Sequence, residues 1–340
     1  MQHAFILGGT GQIGHAVANR LLAEGWHVTL ASRSQPTTTR DRENLRHVEV
    51  DRIKEGAIGR ALGDGADLLL DCIAFDSSDA KQLIDVQHGV GKICAISSTS
   101  VYRDDRGLTL DEARLNGFPE MPIPITTTQP TVDPGDATYS TRKVAMERAL
   151  LNHCKTPFAI HRPCAMYGPH CRHAREWYFV KRLLDGRREI PVAYEGKSQF
   201  QTSSAESLAA AVWACVSKPV PAIMNVADPS APTVIEIAKA IALAMGRSAE
   251  IVGLPDRGYP PRQGITPWSI PKPFVVQASA EYECAGSYEE RVAPAVRWLM
   301  EATRNRSWKE VLPPLAAYPF DLFDYEADEK SLVAVRSGEI

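Results

Sequence analysis

Residues 3–14 read HAFILGGTGQIG. The run His3–Leu7 has the length and apolar character of a buried strand. Three glycines follow at a spacing of three: Gly8, Gly11 and Gly14. Glycine there lets the backbone turn tightly, approach a pyrophosphate and pack the next helix on the strand, whose free N–H groups then hold the anion. A glycine triplet alone is a weak signal, but one between a strand and a helix is much stronger. Gly8, Thr10, Gly11, Gln12, Ile13 and Gly14 are therefore the expected cradle of a dinucleotide. The competing reading is a tight glycine turn without a ligand.

The chain beyond this stretch keeps the same rhythm. A helix is expected over 12–24, with strands at 26–31, 45–50, 66–74 and 92–97, and later at 157–162 and 222–227. Strands alternating with helices imply an α/β fold, a doubly wound parallel sheet of the Rossmann type. Thr233 to Met245 reads as a further helix, opened by a capping threonine and closed by Gly246. Residues 103–137 and 251–280 break the rhythm with Pro-rich, irregular sequence, and loops of that length are often functional. The expected division is discontinuous. Residues 1–165 with about 201–246 form the dinucleotide domain, and about 166–200 with 247–340 form a smaller α/β substrate domain. The cleft between them is the expected substrate site.

The end of the second strand selects the cofactor. A carboxylate there would hold both ribose hydroxyls of NAD, but the sequence has Ser32 and Arg33. An arginine can pair with the 2′-phosphate of NADP, so NADP is favoured over NAD; the alternative is an exposed loop arginine. Asp51 ends the third strand and suits the adenine amino group, or else caps a helix. Arg52, Cys72 and Ala74 complete the expected nucleotide-binding set.

Composition sets further bounds. The 340 residues carry 44% hydrophobic and 23% charged side chains and a net charge of −3, which points to neither nucleic acid nor a membrane surface. No apolar run reaches the roughly 18 residues of a membrane span, and no signal peptide is read at the start. Seven scattered cysteines without a CxxC pair suit reduced thiols and a cytoplasmic protein. His170, Cys171 and His173 match no common zinc spacing, and no metal is expected.

Residues 138–143, TYSTRK, place Tyr139 and Lys143 four apart, on one face if helical. Together with the glycine loop, Asp51, SSTSVY (97–102) and RPCAMYGP (162–169), this stretch resembles the extended short-chain dehydrogenase/reductases, in the NAD-dependent epimerase/dehydratase branch. The resemblance implies Tyr139 as general acid/base, and Lys143 as the residue that holds the nicotinamide ribose and lowers the phenol's pKa. It implies Ser98 as a donor to the reacting oxygen, Pro163 and Met166 as flanks of the nicotinamide, and a homodimer. The chemistry of a tyrosine agrees, because a free phenol titrates near 10 and a neighbouring ammonium favours its charged form.

Two departures bear on the substrate. The acidic pair that such dehydratases carry after the catalytic hydroxyl is Thr99 and Ser100 here. The arginine with which related epimerases grip a diphosphate corresponds to Phe200. Arg172, Arg175, Lys181 and Arg182 offer replacements, with Arg175 and Arg182 on one face of an expected helix around Tyr178, or else form a solvated basic face. Trp177, Tyr178, Trp268 and Phe274 are either a substrate wall or core. The reading favoured is an NADP-dependent oxidoreductase acting on a small molecule. An epimerase that retains NAD is the alternative, and a non-catalytic nucleotide-binding module is third.

Overall fold

The computed structural model describes residues 2–33, 43–256 and 263–339. Part of the Pro-rich stretch, residues 257–262, lies outside them. Seven strands form one sheet, all parallel: β1 (His3–Leu7), β2 (His27–Ser32), β3 (Leu45–Glu49), β4 (Ala66–Asp71), β5 (Val90–Ile96), β6 (Phe158–Pro163) and, much later, β10 (Ile223–Val226). Their order across the sheet is β10-β6-β5-β4-β1-β2-β3. The order reverses between β1 and β4, and the carboxyl ends of these two strands frame the crevice where such sheets bind ligands. The strands are nearly continuous apolar runs because helices cover both faces. Phe5, Leu69, Ile93 and Ile160 pack one way, and Ile6, Leu70, Cys94 and Ala159 the other.

The long helices form where the sequence supplies an apolar face, and several add a side-chain cap. Gln12–Ala23 buries Gly14, Val17, Ala18 and Leu21. Tyr139–His153 opens with a reciprocal capping box between Thr138 and Thr141. Val234–Ala244 has the same device in Thr233 and Glu236. Its buried face joins a second core rather than the large sheet. That core contains the helix Trp177–Leu184, β8 (Glu189–Val192) and the helix Ala293–Ala302. β8 pairs with β11 (Glu250–Gly253), and β7 (Ala165–Tyr167) pairs with β9 (Thr202–Ser204). Periodicity did not announce these short strands, since three or four residues carry too little pattern.

Candidate active site

The glycine loop sits at the carboxyl end of β1, at the switch point. Gly8 has φ +74, and a Cβ there would lie 2.7 Å from the Ile73 side chain. A Cβ on Gly14 would lie 2.5 Å from Gly9 Cα, so the helix touches the loop backbone. The helix starts at Gly11 with no side chain capping its first N–H groups. The Gln12 amide Nε2 beside them is buried and unpartnered. Unfilled donors at a dipole's positive end fit a pyrophosphate, and so a dinucleotide. Thr10 and Ile13 are half-buried in the same turn.

Around the adjoining strand ends, Ser32 Oγ lies 2.7 Å from His47 Nε2, and Arg33 is exposed beyond it. The Asp51 carboxylate accepts from Ile53 N at 3.2 Å. Arg52 is otherwise engaged: Nη1 is 2.9 Å from Asp71 and Nε 3.0 Å from Asp79. Its guanidinium clamps the end of β4 to the helix Ser77–Asp85. Cys72 is half-buried beside Gly8, and burial pushes its thiol well up. Ala74 is buried, and its carbonyl accepts from Lys143.

Ser98 follows β5, and its hydroxyl accepts from Ser100 N at 3.1 Å. Tyr139 stands on the first turn of its helix, 41% exposed at the wall of a cleft. Burial of the phenol among protein atoms pushes its pKa above the ordinary range, and the Asp111 charge adds to this. The Ser98 hydroxyl and the Arg175 charge work against it. Lys143 Nζ lies 5.7 Å from the tyrosine ring centroid and donates to the carbonyls of Ala74 (2.6 Å) and Ile96 (2.9 Å). Burial brings this ammonium down to about 8. The expected lowering of the phenol by Lys143 does not appear in this arrangement. Desolvation is the largest influence on the phenol here.

A buried network supports these groups. Ser97 Oγ donates to Glu147 (2.5 Å), and Arg162 grips the same carboxylate through Nε (2.9 Å) and Nη2 (2.6 Å). Arg162 Nη1 also donates to Tyr102 Oη (3.0 Å), which donates to Asn225 (2.6 Å). The network ties β5, β6, β10 and the tyrosine helix together, so these motif residues position the site from below. Pro163 ends β6, where its carbonyl accepts from Thr99 Oγ1 at 3.3 Å. Met166 reaches the wall of the cleft. The cleft encloses about 1170 Å³ and brings Ser98, Tyr139 and Gln12 together with Asp111, Arg114, Arg172 and Arg175.

Residues 8–118 match an NAD(P)H-binding family, and residues 80–227 match the NAD dependent epimerase/dehydratase family. The two matched segments overlap and together span residues 8–227, which carries the glycine loop, Ser98, Tyr139 and Lys143. Solved structures agree in fold. The Bordetella bronchiseptica enzyme WbmH in complex with NAD+ is 19% identical, with TM-score 0.67, over 88% of this chain and 99% of that one. UDP-N-acetylglucosamine 4-epimerase from Methanobrevibacter ruminantium M1, in complex with UDP-N-acetylmuramic acid, is 15% identical, with TM-score 0.68, over 89% and 99%. dTDP-glucose 4,6-dehydratase from Bacillus anthracis str. Ames, in complex with NAD, is 16% identical, with TM-score 0.65, over 93% and 100%. No curated protein is similar enough in sequence to match. The family is one of nicotinamide-dependent enzymes. When bound, the nicotinamide supplies the hydride acceptor or donor.

The chain departs from expectation in its cleft wall. Arg182 does not share a face with Arg175, because the helix begins only at Trp177. Arg182 is buried in an ion pair with Asp328 (3.0 Å), while Arg172 and Arg175 line the cleft. Trp177, Tyr178, Trp268 and Phe274 are core, each at most 4% exposed. The aromatic wall comes instead from Phe118, Phe200, Tyr318 and Phe320. Arg175 stands over the Phe200 ring at 5.8 Å, and Arg114 over Tyr318 and Phe320 at 5.6 Å each. His170 stacks on His15 and His173 meets Tyr318 Oη, so the 170–173 cluster diverges. Asp111 was not anticipated. Its carboxylate accepts from Ser140 N (3.0 Å) at the start of the tyrosine helix and faces the cleft. No spacing signals it, because the irregular loop 103–137 delivers it.

Proposed function

We propose an NADP-dependent oxidoreductase that reduces a carbonyl, or oxidises the matching alcohol, on a small molecule bearing an anionic group. The observation that carries this reading is the placement of Tyr139 beside Ser98 at the wall of the cleft, with Lys143 Nζ 5.7 Å from the tyrosine ring. A neutral phenol donates a proton to the oxygen that gains charge as a carbonyl is reduced, and Ser98 steadies that oxygen. Lys143, anchored on the Ala74 carbonyl beyond β4 and the Ile96 carbonyl that ends β5, presents its remaining donor toward a ribose. Arg172 and Arg175 supply positive charge at a wall where Phe200 offers none. Arg33, exposed beyond β2 with no carboxylate at the strand end, supports NADP. Asp51 is assigned to the adenine amino group. Thr99 and Ser100 are engaged with Pro163 and Ser140, which speaks against a dehydratase.

The two bodies that form the cleft are residues 1–165 with about 201–228, and the remainder, to which Val234–Ala244 contributes its packing. A homodimer and a cytoplasmic location, with seven free cysteines, belong to the same reading. Among the described residues no helix is long and apolar enough to cross a membrane. A second reading, an epimerase that retains its nucleotide, is favoured by the epimerases among the similar structures.

Acid release of any nucleotide from the purified protein separates the two. Retained NAD supports the epimerase, whereas an empty protein that binds NADPH far better than NADH supports the reductase. A chain that binds neither refutes both. Across a panel of carbonyl compounds scored by NADPH consumption, Tyr139→Phe is expected to lose about 10²–10⁴-fold in turnover, with cofactor affinity nearly unchanged. Near-normal turnover would remove Tyr139 from the mechanism.

A further inference from the structure

Under the helix Ala205–Ser217, on the sheet face opposite the tyrosine helix, four soft or nitrogen donors converge. Cys94 comes from β5, His161 from β6, Met224 from β10 and Cys215 from the helix itself. The ligand atoms of Cys94, His161 and Cys215 all lie within 4.8 Å of one another, and all three residues are buried. Cys215 Sγ is 3.6 Å from His161 Nε2 and 3.9 Å from Met224 Sδ. His161 is fully buried with Nδ1 unpartnered, and Nε2 has only that sulfur contact. A buried imidazole ordinarily satisfies both nitrogens, so this ring's demand is unmet. Lys92 Nζ donates to the Cys215 carbonyl and pins that turn of the helix over the sheet.

We propose that Cys94, His161 and Cys215, with Met224 at a weaker fourth corner, form a closed structural site for zinc.

The spacing suits the ion. Zn–S bonds of about 2.3 Å and Zn–N bonds of about 2.0–2.1 Å give tetrahedral edges of about 3.5–3.8 Å. The Cys215–His161 edge already falls in that range, and the Met224 edge is slightly long, as suits a weak thioether. Charge balances as well. Two thiols release two protons, and two thiolates with a divalent cation leave a neutral centre. A neutral centre is the form that a site without water can hold without a large desolvation cost. A monovalent soft cation would leave a buried net negative charge. The site has no opening, so metal must enter during folding, and binding contributes directly to stability. Thiols scattered along the chain conceal the site: Cys215 and His161 are 54 residues apart.

The test uses the full chain, purified without chelator or histidine tag. We expect about one zinc per chain by elemental mass spectrometry. Refolding with cobalt should give thiolate-to-cobalt charge-transfer bands and the intense visible bands of tetrahedral cobalt. Cys94→Ser and Cys215→Ser should each lose the metal. Should those variants fail to fold, the cobalt spectrum of the unaltered chain decides by itself. Three results would overturn the proposal: no metal after refolding with excess zinc, metal retained by both folded variants, or a Cys94–Cys215 disulfide in the mass spectrum of the native protein.

Discussion

Lys143 shows how one side chain can be legible in role and illegible in state. Its distance from Tyr139 along the chain follows from the helix, and its resemblance to a family position was plain. That its ammonium would be sealed between the Ala74 and Ile96 carbonyls was not, because those contacts span 69 and 47 residues. Burial lowers its pKa to about 8, against the opposing pull of Asp71 and Asp79. In the unfolded chain it titrates near 10.4. Between these values the unfolded chain binds more protons, so this group's contribution to stability rises with pH. The stability of the native chain relative to Lys143→Met should therefore grow by about 2–3 kcal/mol from pH 7.5 to 10.5. Urea midpoints of both proteins at the two pH values measure it, and a flat difference would show that the ammonium is not strained. Arg52 carries the converse lesson. It directly follows Asp51, but its partners Asp71 and Asp79 are set by tertiary structure, so its neighbours in sequence do not reveal what its guanidinium grips.

The glycine loop is the best-read element, because each glycine answers a local steric demand. The three do not answer the same demand. A Cβ on Gly14 meets Gly9 backbone at 2.5–2.6 Å, whereas one on Gly11 meets only the Gly8 carbonyl, at 3.4 Å. Gly14→Ala should separate helix from loop, lowering the melting temperature by several degrees and abolishing nucleotide binding. Gly11→Ala should melt close to the native chain and bind the nucleotide about tenfold or more weakly, since its methyl stands among the uncapped N–H groups. Calorimetry with and without NADPH distinguishes these outcomes, and equal stability losses would contradict the assignment. The strands and long helices of the sheet were equally readable, from apolar runs and capping residues. The cleft wall was not. Phe118, Phe200 and the pair Tyr318 and Phe320 come from three distant segments, and only packing collects them.

Over the whole molecule, the smaller core depends on its C-terminal end. Arg182 Nη2 is 3.0 Å from Asp328, with side chains 2% and 6% exposed, and the guanidinium stacks on Tyr178 at 3.8 Å. This pair fastens the helix Tyr325–Ser337 to Trp177–Leu184. Asp328→Ala leaves an uncompensated buried cation and should cost about 3–5 kcal/mol, whereas removal of an exposed pair such as Lys330–Glu326 should cost under about 1 kcal/mol. Denaturant unfolding measures both, and limited proteolysis should cut the Asp328→Ala chain near the C-terminus first. Similar losses from the two changes would show that the buried pair is not what holds the helix. The fold class was plain in sequence, and the attachment of this last helix was not, since Arg182 looked like one more basic surface residue.

The position of β10 also limits how the protein can be cut. Some sixty residues after β6, the chain returns to lay Ile223–Val226 along that strand. A fragment ending at residue 165 would contain every glycine of the phosphate loop and the pair Tyr139 and Lys143. It would also leave β6 as a bare edge and strip the Cys94–His161 face of its helical cover. Such a truncation should associate through that edge rather than behave as a portable nucleotide-binding module, so the activity cannot be dissected by removing the tail.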